Sequence, residues 1–344
     1  MTQSISTLGE FLQAGKADYQ VFDLGRCLHE IDQTTFDRIE RQQQPYPFPI
    51  RQQAQLAVLF RHRQQPDNDY LWFIQLPLDE RGLLSSAARD HYMEFVLNAL
   101  GHEITGSLTD EKEQQLKQNP YLFTPSDVQR AALHARIAVQ RRAAPSLYFD
   151  DAETYLASQQ GDWQNLGMQG LHDCAARLAQ LPQLCAAIAS HFTDYPAAVR
   201  QQLAAALEHQ PLPAKLRDAL VTVAATSTAE TRCDAMRALA SCAEQGPVIQ
   251  LIRNQLTTTA SESLDADRLT IMAARLWPAL ADSTQLTRYI HAIAQLQPVL
   301  FDALFQDIIS LPQLRPLLLS LLAQGQLSND SLQALNRLKQ NVQG

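Results

Sequence analysis

The sequence predicts an α-rich protein of the α+β class: a small N-terminal α+β unit followed by an α-solenoid. Three observations carry that expectation. Residues 171–189, 200–220, 231–252, 267–290 and 301–318 can be laid over one another. Each reads as an apolar helix, a short break with Pro, Gly or Ser, and a second apolar helix. The last four begin about 31 to 36 residues apart, the spacing of stacked helix pairs. Second, residues 1–100 mix helical and strand periods, and the runs 55–60 and 70–76 are rich in apolar, β-branched and aromatic residues. Third, only 19% of the residues are charged, and Ala, Leu and Gln, which favour helix, fill the gap. The expected organisation is a small α+β domain over 1–105 with an antiparallel hairpin, then a linker with transitional or capping helices over 106–161. A solenoid of about five helix pairs over 162–344 completes it.

The elements follow in chain order. Leu8, Phe11 and Leu12 mark a short opening helix stopped at Gly15. Residues 19–24 read as a strand closed by Gly25, and 36–43 as a second short helix. The runs 55–60 and 70–76 form a hairpin, because Pro66-Asp67-Asn68-Asp69 between them is turn chemistry. Residues 85–100 form a helix with Tyr92, Phe95, Val96 and Leu100 on one face and Gly101 at its end. The polar stretch 103–125, with Asn119-Pro120 and Thr124-Pro125, is a boundary. Ser126 caps a helix running to Arg142, lined by Val128, Ala132, Ala135 and Val139, and 150–160 make another. From Asp162 onward helix follows helix, with prolines placed for the first turn of the next one. The last helix, 331–340, carries Leu332, Leu335 and Leu338 on one side with Arg337 and Lys339 near its end, which suits an end cap.

Charge and cysteine usage narrow the function classes. The net charge is -8, with -7 in residues 1–164 and -1 in 165–344. Neither half has the Lys/Arg excess that neutralises phosphates, so bulk nucleic-acid binding is disfavoured. The five cysteines, Cys27, Cys174, Cys185, Cys233 and Cys242, are odd in number and form no C-x-x-C. They fit free thiols in a reducing cytosol better than a disulfide framework. The N-terminus lacks the basic and apolar regions of a signal peptide, and no stretch reaches the roughly 18 apolar residues of a membrane span. A cytoplasmic protein without membrane contact, metal or cofactor is expected.

Two resemblances follow from quoted residues. Pro196-Ala-Ala-Val199-Arg200-Gln-Gln-Leu203-Ala-Ala-Ala206-Leu207 and Thr231-Arg232-Cys-Asp-Ala235-Met236-Arg237-Ala238-Leu239 resemble the first helix of HEAT-type repeats. The units at Asp267 and Phe301 depart further, and the likeness there rests on spacing. This resemblance implies a HEAT-like α-solenoid serving as a scaffold or binding surface. Tyr19-Gln-Val-Phe-Asp-Leu-Gly-Arg26, Pro45-Tyr-Pro-Phe-Pro49 and Leu71-Trp-Phe-Ile-Gln-Leu-Pro-Leu-Asp-Glu-Arg-Gly-Leu83 resemble phrases of an uncharacterised family of bacterial cytoplasmic proteins, a domain of unknown function. That likeness spans most of the chain and implies no activity.

Several constellations invite chemistry. Asp23, Arg26, His29 and Glu30 follow the first strand, where polar residues either act on a ligand or form a surface ion pair and cap. Arg89, Asp90 and His91 are adjacent on a helix and point about 100° apart, so they form no triad alone. His172, Cys174 and Cys185 fit zinc spacing poorly and read as repeat core with one exposed His. In Pro45-Tyr46-Pro47-Phe48-Pro49 the alternate prolines stiffen the backbone, so Tyr46 and Phe48 either dock a partner or pin the segment to the core. Trp163 and Trp277 are candidate anchors of a binding groove. Arg130, His134 and Arg141 form a short cationic row on one helix. The 23 Arg against 5 Lys favour protein contacts, since guanidinium forks form partly desolvated bonds.

No catalytic motif or nucleotide loop is present. The expected function is a non-enzymatic cytoplasmic adaptor or scaffold that binds a protein or peptide through the helical-repeat surface. The first alternative is an enzyme or small-ligand sensor with a site near Asp23, Arg26 and His29. The second is a HEAT-type nucleic-acid binder, which the charge disfavours. The oligomeric state is left open.

Overall fold

The computed structural model, which describes residues 5–65, 68–100, 118–257 and 264–343, opens on a helix set by its own cap. The Thr7 side chain accepts from the Glu10 amide and Glu10 accepts from the Thr7 amide, so α1 (Leu8–Ala14) begins with a capping box. Leu8, Phe11 and Leu12 are buried, as their spacing predicts. Next come β1 (Ala17–Asp23), β2 (His29–Ile31), α2 (Gln33–Glu40), β3 (Gln53–His62), β4 (Tyr70–Pro77) and α3 (Ser86–Leu100). The sheet order is β2-β1-β3-β4, and every pairing is antiparallel.

Register explains the core. Val21 pairs with Val58, which pairs with Trp72, while Tyr19 pairs with Phe60, which pairs with Tyr70. Alternation therefore sends Tyr19, Val21, Val58 and Phe60 to one face, where Leu12, Ile39, Tyr92 and Val96 from the helices cover them. The 55–60 and 70–76 runs form the expected hairpin. Its turn residues Pro66 and Asp67, the Gly101 stop and most of the 103–125 boundary lie outside the described residues. On α3, Tyr92 and Val96 are buried as expected and Phe95 is half-buried. Strand β2 was not expected: three residues are too few for an alternation to register.

Contacts divide the chain into two units, Met1–Pro125 with Ser310–Pro312 and Ser126–Ile309 with Gln313–Gly344. The second unit is helical throughout. Its helices are α4 (Asp127–Gln140), α5 (Phe149–Ser158), α6 (Met168–Arg177), α7 (Pro182–His191), α8 (Ala197–Leu207), α9 (Ala214–Thr226) and α10 (Ala229–Ala238). Then follow α11 (Gly246–Thr257), α12 (Ala266–Ala274), α13 (Ser283–Ala294), α14 (Pro298–Ser310), α15 (Arg315–Ala323) and α16 (Asn329–Gln343). Each helix from α4 to α11 packs on the one two places along, and so does α13. One layer is thus α4, α6, α8, α10 and α12, and the other α5, α7, α9, α11, α13 and α15. This is a two-layer stack of helix pairs.

Local chemistry sets the breaks. Ser126 opens α4 with a capping box to Gln129. Pro182 occupies the first turn of α7, and Pro196 and Pro213 are the N-caps of α8 and α9, where a missing N–H costs nothing. Among the described residues no helix is long and apolar enough to cross a membrane.

Candidate functional site

Two sequence motifs from the N-terminal unit meet at one point. Asp23 ends β1 and is fully buried. Its Oδ1 accepts from the Tyr46 hydroxyl and from the Gly25 amide at 3.2 Å, and its Oδ2 accepts from the Arg26 amide at 3.3 Å. Burial pushes the Asp23 carboxyl up to about 7, against the opposing pull of Tyr46 and the two amides. Burial likewise drives the Tyr46 phenol well above its ordinary value, with the Asp23 carboxylate adding to the shift. Arg26 is buried and its Nε donates to the Pro49 carbonyl at 2.7 Å. Half-buried His29, on β2, stacks on Phe48 with centroids 4.4 Å apart and planes at 15°. A Cβ at Gly25 would lie 2.9 Å from the Ile50 side chain, so a larger residue there would have to push Ile50 aside.

Asp23, Arg26, His29, Tyr46 and Phe48 are therefore one constellation. A carboxyl and a phenol in contact can share a proton, but both are enclosed, and the bonds run from the β1–β2 turn to the proline segment. The arrangement fastens that segment to the sheet.

A second buried carboxylate escaped the sequence reading. Glu40 ends α2 and accepts from the Leu8 and Gly9 amides at 2.7 and 3.0 Å, in the first turn of α1. Burial pushes it up to about 7, opposed by those two amides and by Arg89. Its only sequence signal is a charged residue beside Phe36 and Ile39 on the apolar face of α2. Arg89, Asp90 and His91 do not act together: Arg89 bonds Asp90 and the Glu40 carbonyl, while His91 meets the Tyr121 hydroxyl at 3.3 Å.

In the helical stack the two tryptophan candidates separate. Trp277 begins a 3-10 turn and is 4% exposed, filling core. Trp163 begins another 3-10 turn, capped by Asp162, and is 36% exposed. Leu147 and Tyr148, just before α5, are likewise 82% and 46% exposed. Two glycines hold Tyr148: a Cβ at Gly167 would lie 2.7 Å from its ring, and one at Gly170 would lie 2.1 Å from its carbonyl oxygen. Of the cationic row, Arg130 and His134 are exposed, Arg141 is half-buried, and Arg130 pairs with Asp127.

One expectation is corrected. His172 is not exposed: only 1% is accessible, because α6 is covered by α4, α5 and α8. It stacks on His209 at 6.2 Å, and burial holds its imidazolium down at about 3. Cys174 and Cys185 are buried thiols, as packing predicts. Beside His209, the Glu208 carboxylate is 1% exposed. It takes a forked pair of bonds from Arg237, both 2.8 Å, and one from Arg275 Nε at 2.7 Å. Burial works to raise its pKa, but the two arginines outweigh it and hold the group below the ordinary carboxylate value. Among the described residues no three His, Cys, Asp or Glu side chains are placed to hold a metal ion.

A small antiparallel α+β unit and a two-layer helical stack, with polar clusters turned inward, define a helix-pair stack protein with an N-terminal sheet. The chain belongs to the DUF3549 family, proteins of unknown function, whose family model matches residues 3–339. No curated protein and no solved structure matches it.

Proposed function

We propose that this protein is a non-enzymatic adaptor or scaffold that binds a protein or peptide partner through the surface of its helical stack. The observation that carries the reading is the two-layer stack of helix pairs, on which Leu147, Tyr148 and Trp163 stand exposed. Exposed Trp and Tyr side chains are typical anchors of protein interfaces. Gly167 and Gly170 hold Tyr148 in place, so little ordering remains to be done on binding. The Asp23–Tyr46 group supports the same reading, because its bonds are used in holding the chain and its reactive atoms are enclosed. Five free cysteines agree with action in a reducing compartment.

The test is affinity purification of the full-length protein at native level after mild crosslinking, set beside a Leu147→Asp, Trp163→Ala variant. A stoichiometric protein partner recovered with the parent chain and lost with the variant is the expected result. A partnerless parent chain would overturn the reading.

A further inference from the structure

We infer that two copies of this chain pair through α15, the last helix of its layer, in an antiparallel two-fold contact of Leu319 and Leu322. The inference goes beyond the adaptor reading and does not depend on it. Exposed large apolar side chains are spread unevenly over the helical unit. Among the described residues from 164 to 298, which span α6 to α13, there is none. The last three helices carry Val299, Leu319, Leu322 and Leu332. At exposed positions α9 has Asp218 and Thr222, α11 has Gln250 and Asn254, and α13 has Thr284 and His291. On α15, in the same layer, leucines stand there instead.

The leucines of α15 fall in two rows. Leu318 and Leu321 are buried, while Leu319 and Leu322, 49% and 36% exposed, stand one turn apart on a single flank. The end of a helix-pair array needs a polar outer face to stay in water, and this flank is apolar. Its nearest charges along the chain are half-buried Arg315, the first residue of α15, and exposed Asp330; none lies between them. Such a flank offers a charged partner little to match, but it is its own complement. Turned about an axis between residues 320 and 321, Leu319 of one copy meets Leu322 of the other. Arg315 then lies beside the C-terminal end of the other α15, well away from its own equivalent. A cation opposes the dipole at the start of its own helix and is favoured at the C-terminal end of an antiparallel neighbour.

One helix pair buries less than the roughly 1,200–2,000 Å² of a standard interface, so the dimer is weak and forms as concentration rises. Sedimentation velocity of the full-length protein over a concentration series should show the mass double. Leu319→Glu with Leu322→Glu should move the midpoint at least about tenfold upward, and so should Leu319→Lys with Leu322→Lys. An equimolar mixture of those two proteins should regain dimer as one copy of each, since every Glu then faces a Lys. Urea denaturation checks that each variant keeps its fold. Leu147→Asp, at a residue 82% exposed ahead of α5, should leave the series unchanged.

A monomer throughout the series, a dimer indifferent to the paired leucine changes, a mixture that stays monomeric, or dissociation by Leu147→Asp would each overturn the inference. A photocrosslinking residue at Leu319, in purified full-length protein mixed with cell lysate, identifies the occupant. A product of twice the chain mass is expected. A conjugate with a different protein alone, or none at all, overturns the pairing. Affinity purification tests the adaptor reading separately, since a second copy is not a foreign partner.

Discussion

Replacing Glu208 by Gln is the most demanding test of how the stack is held together. The change keeps the shape and removes the anion that three guanidinium N–H groups meet at 2.7 to 2.8 Å. Breaking a buried ion pair from one side costs about 3–5 kcal/mol when the partner charge stays buried. Here the Arg237 and Arg275 side chains are 36% and 24% exposed, so water recovers part of the loss. An expected cost of about 3 kcal/mol remains, which at about 2–4 °C per kcal/mol lowers Tm by about 6–12 °C. Calorimetry and urea titration measure it. A double-mutant cycle with Arg237→Met should give a coupling above about 1 kcal/mol. The sign with pH is fixed: the folded value of Glu208 lies below the unfolded one, so its contribution is present above the unfolded value of about 4.3. It fades as pH falls through the folded value, and the two proteins converge in acid. A cost under about 0.5 kcal/mol at neutral pH, or a gap that widens in acid, would refute the reasoning.

Other expectations can be checked on the same preparations. Asp23 has a raised folded value, so its contribution is full below the unfolded value of about 3.9 and is lost as pH rises through about 7. The urea midpoint of the N-terminal unit should therefore fall over that window, less steeply in Asp23→Asn, as hydrogen exchange of residues 5–65 would report. Glu40, raised by burial to about 7, acts with the same sign. Gly170→Ala should cost more than about 2 kcal/mol, because its Cβ would lie 2.1 Å from a backbone oxygen, as urea denaturation measures. Gly246→Ala, in the first turn of α11 with nothing within 4 Å, should be neutral or stabilising in the same assay. Acrylamide should quench Trp163 and spare Trp277, so Trp163→Phe removes more quenchable emission than Trp277→Phe, half-buried Trp72 contributing equally to both.

Period and punctuation made the architecture readable. The hairpin and the helix pairs follow from apolar spacing and from prolines such as Pro182 and Pro196, because these act within a few residues. What was hidden depends on contacts distant in sequence. Asp23 and Tyr46 each looked notable, but nothing local says that the phenol of one meets the carboxyl of the other across 23 residues. Glu40 carried no reading in the 36–43 helix, since its partners are amides 31 and 32 residues earlier. His172 was read as exposed because its own helix has an apolar stripe elsewhere, whereas α6 is covered on more than one side. Trp163 and Trp277 both open 3-10 turns, and only the packing of the stack sends one to solvent and the other inside.

The bond from Arg275 to Glu208 spans 67 residues, from the end of α12 to the end of α8. In an array whose modules touch only their neighbours, melting begins at an end and travels inward one module at a time. A tie that skips over α10 removes that freedom for the middle of the array, because α8, α10 and α12 share a single anion. These three should open as one cooperative block under force or in native-state exchange, with fraying confined to the segments outside them. The tie also constrains how the family can change length, since removing the α10–α11 module would delete Arg237 from the knot and shift Arg275 out of reach of its partner.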